Sequence, residues 1–242
     1  MAMNRSDLFL PVRRIEASEP NAELPAHWPM VMPPVRQLLL EGLDLGAVTV
    51  MVGENGVGKS TLLEALAIAY GLNAEGGSTG AMHATRASES TLSQLLKLHR
   101  GAAAPRKGFF LRAETMHSFY TYLEESSVGS ALHERSHGES FLDLIEERIR
   151  LKGLWVLDEP ESALSLTGCV QLIERLRGIV ERGSQVLIST HSPVLAAFPG
   201  ARILEVGSWG FRESEYDHLE LVRNWREFFT DPGAFLGSPE TE

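Results

Sequence analysis

The sequence predicts an α/β protein built on a mainly parallel sheet flanked by helices, and three observations carry that expectation. Apolar, strand-like runs alternate with helical patterns along the chain, as in folds made of strand–helix–strand units. One run, Leu154-Trp155-Val156-Leu157, is apolar at every position, which suits the centre of a sheet covered on both faces. The third is the order of residues 48–69. Val48 to Val52 leads into Gly53-Glu54-Asn55-Gly56-Val57-Gly58-Lys59-Ser60, and the helix-forming Leu62-Leu63-Glu64-Ala65-Leu66-Ala67-Ile68-Ala69 follows. Strand, glycine-rich turn, then Gly-Lys-Ser opening a helix is the context a phosphate-binding loop requires.

Taken in order, residues 8–15 supply a first strand, and the proline-rich stretch Pro20 to Pro34 resists regular structure. Trp28 within it is read as a buried anchor for the loop, with an adenine stack as the alternative. Val35 to Leu40 and Ala47 to Val52 read as strands, the second feeding the phosphate loop. After the first helix, residues 71–90 form a Gly/Ser/Thr/Ala-rich surface loop, Thr91 to Leu98 a short amphipathic helix, and Gly101 to Gly108 another loop. Gly108 to Glu114 is an apolar strand ending on polar residues, and Met116 to Glu124 a helix. Phe141 to Leu151 shows helical spacing, with Phe141, Leu142, Leu144, Ile145 and Ile149 apolar between charges. The alternation continues through strand 154–157, helix 167–182, strand 185–188, a turn at His191-Ser192-Pro193, strand 202–205 and a final helix from His218 to Phe229.

At 242 residues the chain suits a single domain, with residues 88–151 or thereabouts forming a helical subdomain inserted in the core. The start of the chain has no apolar signal core and no apolar run is long enough to span a bilayer. A single cysteine, Cys169, excludes an intramolecular disulfide framework and a multi-cysteine metal site, so the expected compartment is the cytoplasm. The formal net charge of -10 argues against a broad nucleic-acid surface, which needs clustered Lys and Arg. A local basic patch is still compatible with nucleic acid. The densest, Arg100, Arg106, Lys107 and Arg112, is read as a solvated surface.

The chemistry of the loop follows from its residue types. Gly53, Gly56 and Gly58 can take backbone angles closed to other residues, so that successive N–H groups from Glu54 to Thr61 turn inward around phosphate oxygens. The positive end of the helix dipole lies behind them, and Lys59 adds a full charge directed into a solvated phosphate site. Ser60 offers a hydroxyl to Mg²⁺. The ligand expected is a nucleotide.

The second half of the site stands at the carboxyl ends of two more strands, the edge where ligands bind in open parallel sheets. Asp158 has the position and type to hold Mg²⁺, directly or through water. Glu159 can orient and deprotonate an attacking water. His191, after the run Gln185 to Ser189, is brought to the same edge, where an imidazole can hydrogen-bond a γ-phosphate oxygen or the water. Ser136 with Gly138, just before an amphipathic helix, makes a second anion-binding N-terminus, or simply an N-cap.

These residues carry a family resemblance. The phosphate loop, Leu154-Trp155-Val156-Leu157-Asp158-Glu159-Pro160 and Ser189-Thr190-His191-Ser192-Pro193 resemble an ATP-binding-cassette (ABC) ATPase, a P-loop NTPase, over about residues 35 to 206. The resemblance implies ATP and Mg²⁺ as cofactors and ATP hydrolysis as the activity. Ser136-His137-Gly138-Glu139 then matches the signature sequence, keeping its Ser and Gly while Arg135, His137 and Glu139 depart from it. Glu114 lies where the family has the Q-loop glutamine and could still ligate Mg²⁺. Ser162-Ala163-Leu164-Ser165 resembles the D-loop, with Ser165 in place of its aspartate. The phrases around Gly108 to Glu114 and Ser136 to Phe141 look closer still to small soluble bacterial predicted ATPases labelled AAA-family, similar to the heads of chromosome-maintenance and recombination-repair ATPases. Such heads carry a long coiled coil between Q-loop and signature, and here about twenty residues separate Glu114 from Ser136, so no long arm fits.

The resemblance further implies a head-to-tail homodimer on ATP binding, in which the partner copy's Ser136 closes over the γ-phosphate. The effector that such a cycle would drive is not given by the sequence. Three other readings stand beside it. The first is the ATPase subunit of a membrane transporter, which needs a docking groove in the polar segment 115–135. The second is a small-molecule phosphotransferase, against which Asp158-Glu159 and His191 weigh. The third is a non-hydrolysing, nucleotide-gated module, which the presence of Glu159 opposes. Arg13, Arg14, Trp28 and Arg36 remain unranked candidates for the adenine contacts.

Overall fold

In a computed structural model the structure describes residues 8–20, 23–73, 77–78, 91–112, 142, 145–146 and 151–236. Ten strands lie among them: β1 (Arg14–Ala17), β2 (Leu43–Asp44), β3 (Val48–Val52), β4 (Gly77–Ser78), β5 (Leu96–His99), β6 (Gly108–Arg112), β7 (Leu154–Asp158), β8 (Gln185–Thr190), β9 (Arg202–Gly207) and β10 (Gly210–Glu213). The α-helices are α1 (Pro33–Glu41), α2 (Lys59–Tyr70), α3 (Leu166–Glu181), α4 (Pro193–Ala196), α5 (Glu220–Thr230) and α6 (Pro232–Leu236).

The main sheet runs in the order β10-β9-β3-β8-β7-β6-β4. Its five central strands are parallel, and antiparallel β10 and β4 close the edges. The expected α/β architecture is therefore present, and β7 shows why its run is apolar throughout. Trp155 and Leu157 point to one face and pack with Leu172, Leu176 and Ile179 of α3. Leu154 and Val156 point to the other and join Leu62, Leu63 and Leu66 of α2. Successive side chains alternate across a strand, so a strand covered on both faces has no polar side. Each fully buried side chain of this size stabilises the fold by roughly 1.5–3 kcal/mol.

Two elements expected as one type form another. Val35 to Leu40 is not a strand but lies in helix α1. Pro33 and Pro34 occupy its first positions, where proline's missing N–H and fixed φ cost nothing, and Pro34, Val35, Leu38 and Leu39 are its buried face. Gly42, at φ 71°, ends it. Thr91 to Leu98 is not an amphipathic helix but a 3₁₀ turn over Thr91–Leu95 followed by β5. A pairing with a distant part of the chain decides it: β5 is antiparallel to β1, in the order β2-β1-β5, a second sheet of three strands. Its register places Glu16 beside Lys97, and Glu16 meets the ring of His99 at 2.7 Å.

Other differences are smaller. The first strand starts at Arg14 rather than Leu8. Strand β10 and its hairpin with β9 were not expected. Helix α5 starts two residues later than read and is followed by α6. Trp28 is 61% exposed and is no anchor. Its neighbours Pro29 and Met30, the latter at 1%, are buried instead. Among the described residues no helix is long and apolar enough to cross a membrane.

Candidate functional site

Strands β3, β7 and β8 run parallel in adjacent positions, so their carboxyl ends bring the phosphate loop, Asp158-Glu159 and Thr190-His191 to one edge. The loop's shape rests on its glycines. A Cβ on Gly53 would stand 2.1 Å from the carbonyl oxygen of Val206, so only glycine lets the loop leave β3 against β9. Gly56 and Gly58 have φ of 76° and 108°, and Gly58 delivers the chain into α2 in a left-handed conformation. Glu54, Asn55 and Val57 complete the turn, and Lys59, Ser60 and Thr61 form the first turn of α2.

Lys59 is 3% exposed rather than solvated. Its ammonium donates to the carbonyls of Gly53 at 2.9 Å and Glu54 at 3.0 Å and lies 2.9 Å from His191 Nε2. Burial pulls its pKa below the ordinary lysine value, while the charges of Glu159, Asp158, Glu161 and Glu54 pull it back up. The same His191 Nε2 is 3.0 Å from Glu159 Oε1. Lys59, His191 and Glu159 thus form one connected line across the mouth of the site.

Glu159 has a φ of 49°, a positive φ found at no other non-glycine among the described residues. Such a backbone costs on the order of 1–3 kcal/mol and persists only where its surroundings impose it. Here the Glu159 N–H donates to the Ser189 carbonyl at 3.1 Å, tying the turn after β7 to β8.

Asp158 is buried. Its Oδ1 accepts a short hydrogen bond from the Ser189 hydroxyl, and Ser60 donates to the same carboxylate. Burial pushes its pKa above the usual value, and the bonds from Ser189 and Ser60 and the Arg112 charge act against that. A buried carboxylate beside the Ser60 hydroxyl is a pair of hard oxygen donors. That set fits Mg²⁺, which takes one or two protein oxygens and completes its shell with water and phosphate. Among the described residues no group of three or more His, Cys, Asp or Glu could hold a metal by itself.

Several residues of this edge escaped the sequence reading. Glu161 Oε1 accepts from the Thr190 hydroxyl at 2.7 Å and from the His191 N–H at 2.5 Å, so it fixes the backbone that carries the imidazole. Nothing in the spacing of Asp-Glu-Pro-Glu announces that contact. Arg112, expected on a solvated basic patch, is instead 23% exposed at the end of β6. It donates to Glu64 at 2.8 Å and places Nε 3.4 Å from Asp158 Oδ2. Its position at the end of an apolar strand was the available signal, because β6 and β7 pair in parallel with Arg112 opposite Asp158. Of that patch Arg106 and Lys107 are exposed, while Arg100 lies over the Tyr70 ring at 4.1 Å.

Among the adenine candidates, Arg14 is engaged with Asp44 at 3.0 Å and the Glu41 carbonyl at 2.5 Å, a structural clamp. Ser165 caps α3, its hydroxyl accepting from the Gly168 N–H at 3.1 Å. Glu114, Ser136, Gly138 and Glu139 lie outside the described residues, as does most of the expected helical subdomain.

A parallel sheet with a glycine loop opening a helix at one strand, and Asp-Glu at the end of a strand two places away, defines the class of P-loop nucleotide-binding proteins. Known proteins narrow it. The cytochrome c biogenesis ATP-binding export protein CcmA of Rhizobium meliloti is 30% identical over 186 residues, 68% of this chain and 86% of that protein. CcmA of Pseudomonas syringae pv. syringae is 29% identical over 208 residues, 72% and 90% of the two chains. An uncharacterized ABC transporter ATP-binding protein of Haemophilus influenzae is 30% identical over 99 residues, which span only 38% of its own length. An ABC transporter solved in an inward-facing conformation shares the fold, with a TM-score of 0.50 at 17% identity over 91% of this chain and 90% of that one. No family model matches. The chain belongs to the ABC family of ATP-binding proteins.

Proposed function

We propose that this chain hydrolyses ATP to ADP and phosphate in a composite site made when two copies associate head to tail on ATP binding. The observation that carries it is the connected line Lys59–His191–Glu159 at the edge where the phosphate loop opens. Lys59 exchanges its bonds to the Gly53 and Glu54 carbonyls for β- and γ-phosphate oxygens. The N–H groups from Glu54 to Thr61 hold the remaining phosphate charge. Ser60 and Asp158 are the oxygen donors that would hold Mg²⁺, which would supply charge neutralisation to the phosphates. Glu159 takes the proton of the attacking water as the new O–P bond forms and the bond to the ADP oxygen breaks. His191, held by Glu161, positions that water or a γ-phosphate oxygen.

The partner copy supplies the far side through Ser136, Gly138 and Glu139, and Glu114 adds a further oxygen toward the cation. Support for these four is the resemblance of their motifs. The finer likeness to small AAA-family ATPases, the cytoplasmic location and an effector protein driven by the cycle belong to the same proposal, and the acidic net charge supports a partner other than nucleic acid. A second reading, the ATPase subunit of a membrane transporter, is favoured by relatives whose names describe an export function.

The test is light scattering on Glu159→Gln. With ATP and Mg²⁺ the variant is expected to dimerise, while apo and ADP-bound protein stay largely monomeric. Ser136→Arg on that background is expected to block dimerisation and leave ATP binding intact. A strictly monomeric Glu159→Gln under saturating ATP would overturn the composite site. Co-purification with a membrane protein would favour the transporter reading.

A further inference from the structure

One strong electrostatic feature of the site has no role in the cycle proposed above. Arg112 stands between two carboxylates: Nη1 is 2.8 Å from Glu64 and Nε is 3.4 Å from Asp158. Glu64 lies one helical turn after Ser60, so both occupy one face of α2. Ser60 reaches the Asp158 carboxylate directly. Arg112 therefore bridges a carboxylate of α2 to the carboxylate of β7 that Ser60 also reaches. All three groups of the ionic cluster are largely withdrawn from water, at 23% exposure for Arg112, 16% for Glu64 and 5% for Asp158.

Without a cation, such a cluster would carry two negative charges beside a hydroxyl, a set of hard donors that divalent cations favour. The Arg112 guanidinium supplies a cation already. Its charge is permanent and its planar fork can face two carboxylates at once. In this partly buried place it is screened far less than a surface charge would be.

We propose that Arg112 is a resident counter-charge that keeps Glu64 and Asp158 from taking up a divalent cation before nucleotide arrives. The inference rests on the reading that Asp158 and Ser60 receive the cation during the ATP cycle. ATP then brings the phosphate charge needed to tip the balance, so cation and nucleotide enter together. Arg112 acts through Asp158 and is a positioning residue rather than a catalytic one.

The test uses the full chain and Mn²⁺ as probe, with protein-bound Mn²⁺ read by electron paramagnetic resonance after free Mn²⁺ and Mn·ATP are filtered away. Without nucleotide the wild type is expected to bind Mn²⁺ weakly and Arg112→Gln at least about tenfold more tightly, because a unit charge close by in a partly buried site outweighs that factor. Arg112→Lys keeps the charge and is expected to stay near wild type, a rescue that lost packing alone would not produce. Should Arg112→Gln fail to fold, Glu64→Gln reads the same balance in the other direction. More of the guanidinium charge then falls on Asp158, and Mn²⁺ uptake with ATP is expected to weaken several-fold. Equal nucleotide-free affinity in wild type, Arg112→Gln and Arg112→Lys, with normal uptake on ATP, would overturn the proposal alone. Absence of Mn²⁺ uptake by the wild type even with ATP would overturn the cation reading of Asp158, and this inference with it.

Discussion

The two walls of the site are built from different materials. The phosphate-loop wall, from Gly53 to Thr61, is made chiefly of backbone. Its form depends on where a Cβ is absent, as at Gly53 against Val206, and on positive φ at Gly56 and Gly58. The opposite wall, at the ends of β7 and β8, is made of side chains that hold one another: Ser189 on Asp158, Glu161 on Thr190 and His191, His191 on Glu159. A backbone wall is specified by local residues at fixed spacing. A side-chain wall is specified by strand register, which joins residues about thirty positions apart. The first should therefore fail as a unit and the second by degrees.

Lys59→Ala is the most severe way to test that difference, since Lys59 carries a full charge from the loop to His191 of the other wall. ATP with Mg²⁺ is expected to raise the melting temperature of the wild type and leave that of the variant unchanged. Equal shifts in both proteins would break the assignment of the loop. Glu159→Gln follows in size. The amide keeps the shape of the side-chain wall and removes the base, so ATP is bound while the hydrolysis rate drops by ~10²–10⁴. Near-wild-type hydrolysis would move the role of base to His191.

Glu161→Ala sharpens the idea of graded failure. It takes the acceptor from the buried Thr190 hydroxyl and the His191 N–H, while its charge acts on Lys59 less than those of Glu159 and Asp158 do. Loss of positioning in a catalytic group costs up to about a hundredfold in rate. A fall of that order or less is expected in steady-state hydrolysis, with ATP affinity nearly unchanged by calorimetry. Affinity falling in step with rate would show that the walls are not separable.

The same contrast explains what could be read in the sequence. The gathering of the loop, Asp158, Glu159 and His191 at one edge was legible because each follows an apolar strand, and parallel strands end on one edge. Such apolar runs, above all Leu154 to Leu157, also made the sheet legible. The three-stranded sheet was not, because β1 and β5 are short and lie some eighty residues apart, and only their pairing makes Leu96 to His99 a strand. Val35 to Leu40 misled for a local reason: its apolar residues run together, and the deciding signal was Pro33-Pro34 before it. Arg112 was misread because a basic residue was weighed by its neighbours in sequence rather than by its partner across β6 and β7.

Ser165 provides the smallest effect and a control for both walls. The resemblance places it where the family has an aspartate, yet in the single chain its hydroxyl accepts from the Gly168 N–H and starts α3. Serine and aspartate cap helices about equally well, and alanine in their place costs about 1 kcal/mol. For a chain of this size that corresponds to a fall of roughly 2–4 °C in melting temperature. Ser165→Ala is therefore expected to show that fall in the nucleotide-free protein, and Ser165→Asp to show none. Neither change reaches the loop or Asp158, so single-chain ATP binding stays as in wild type in both. A Ser165→Ala variant that melts with the wild type would show that the cap contributes nothing. A variant that instead lost ATP affinity would place Ser165 within the nucleotide site and end the division of that site into two walls.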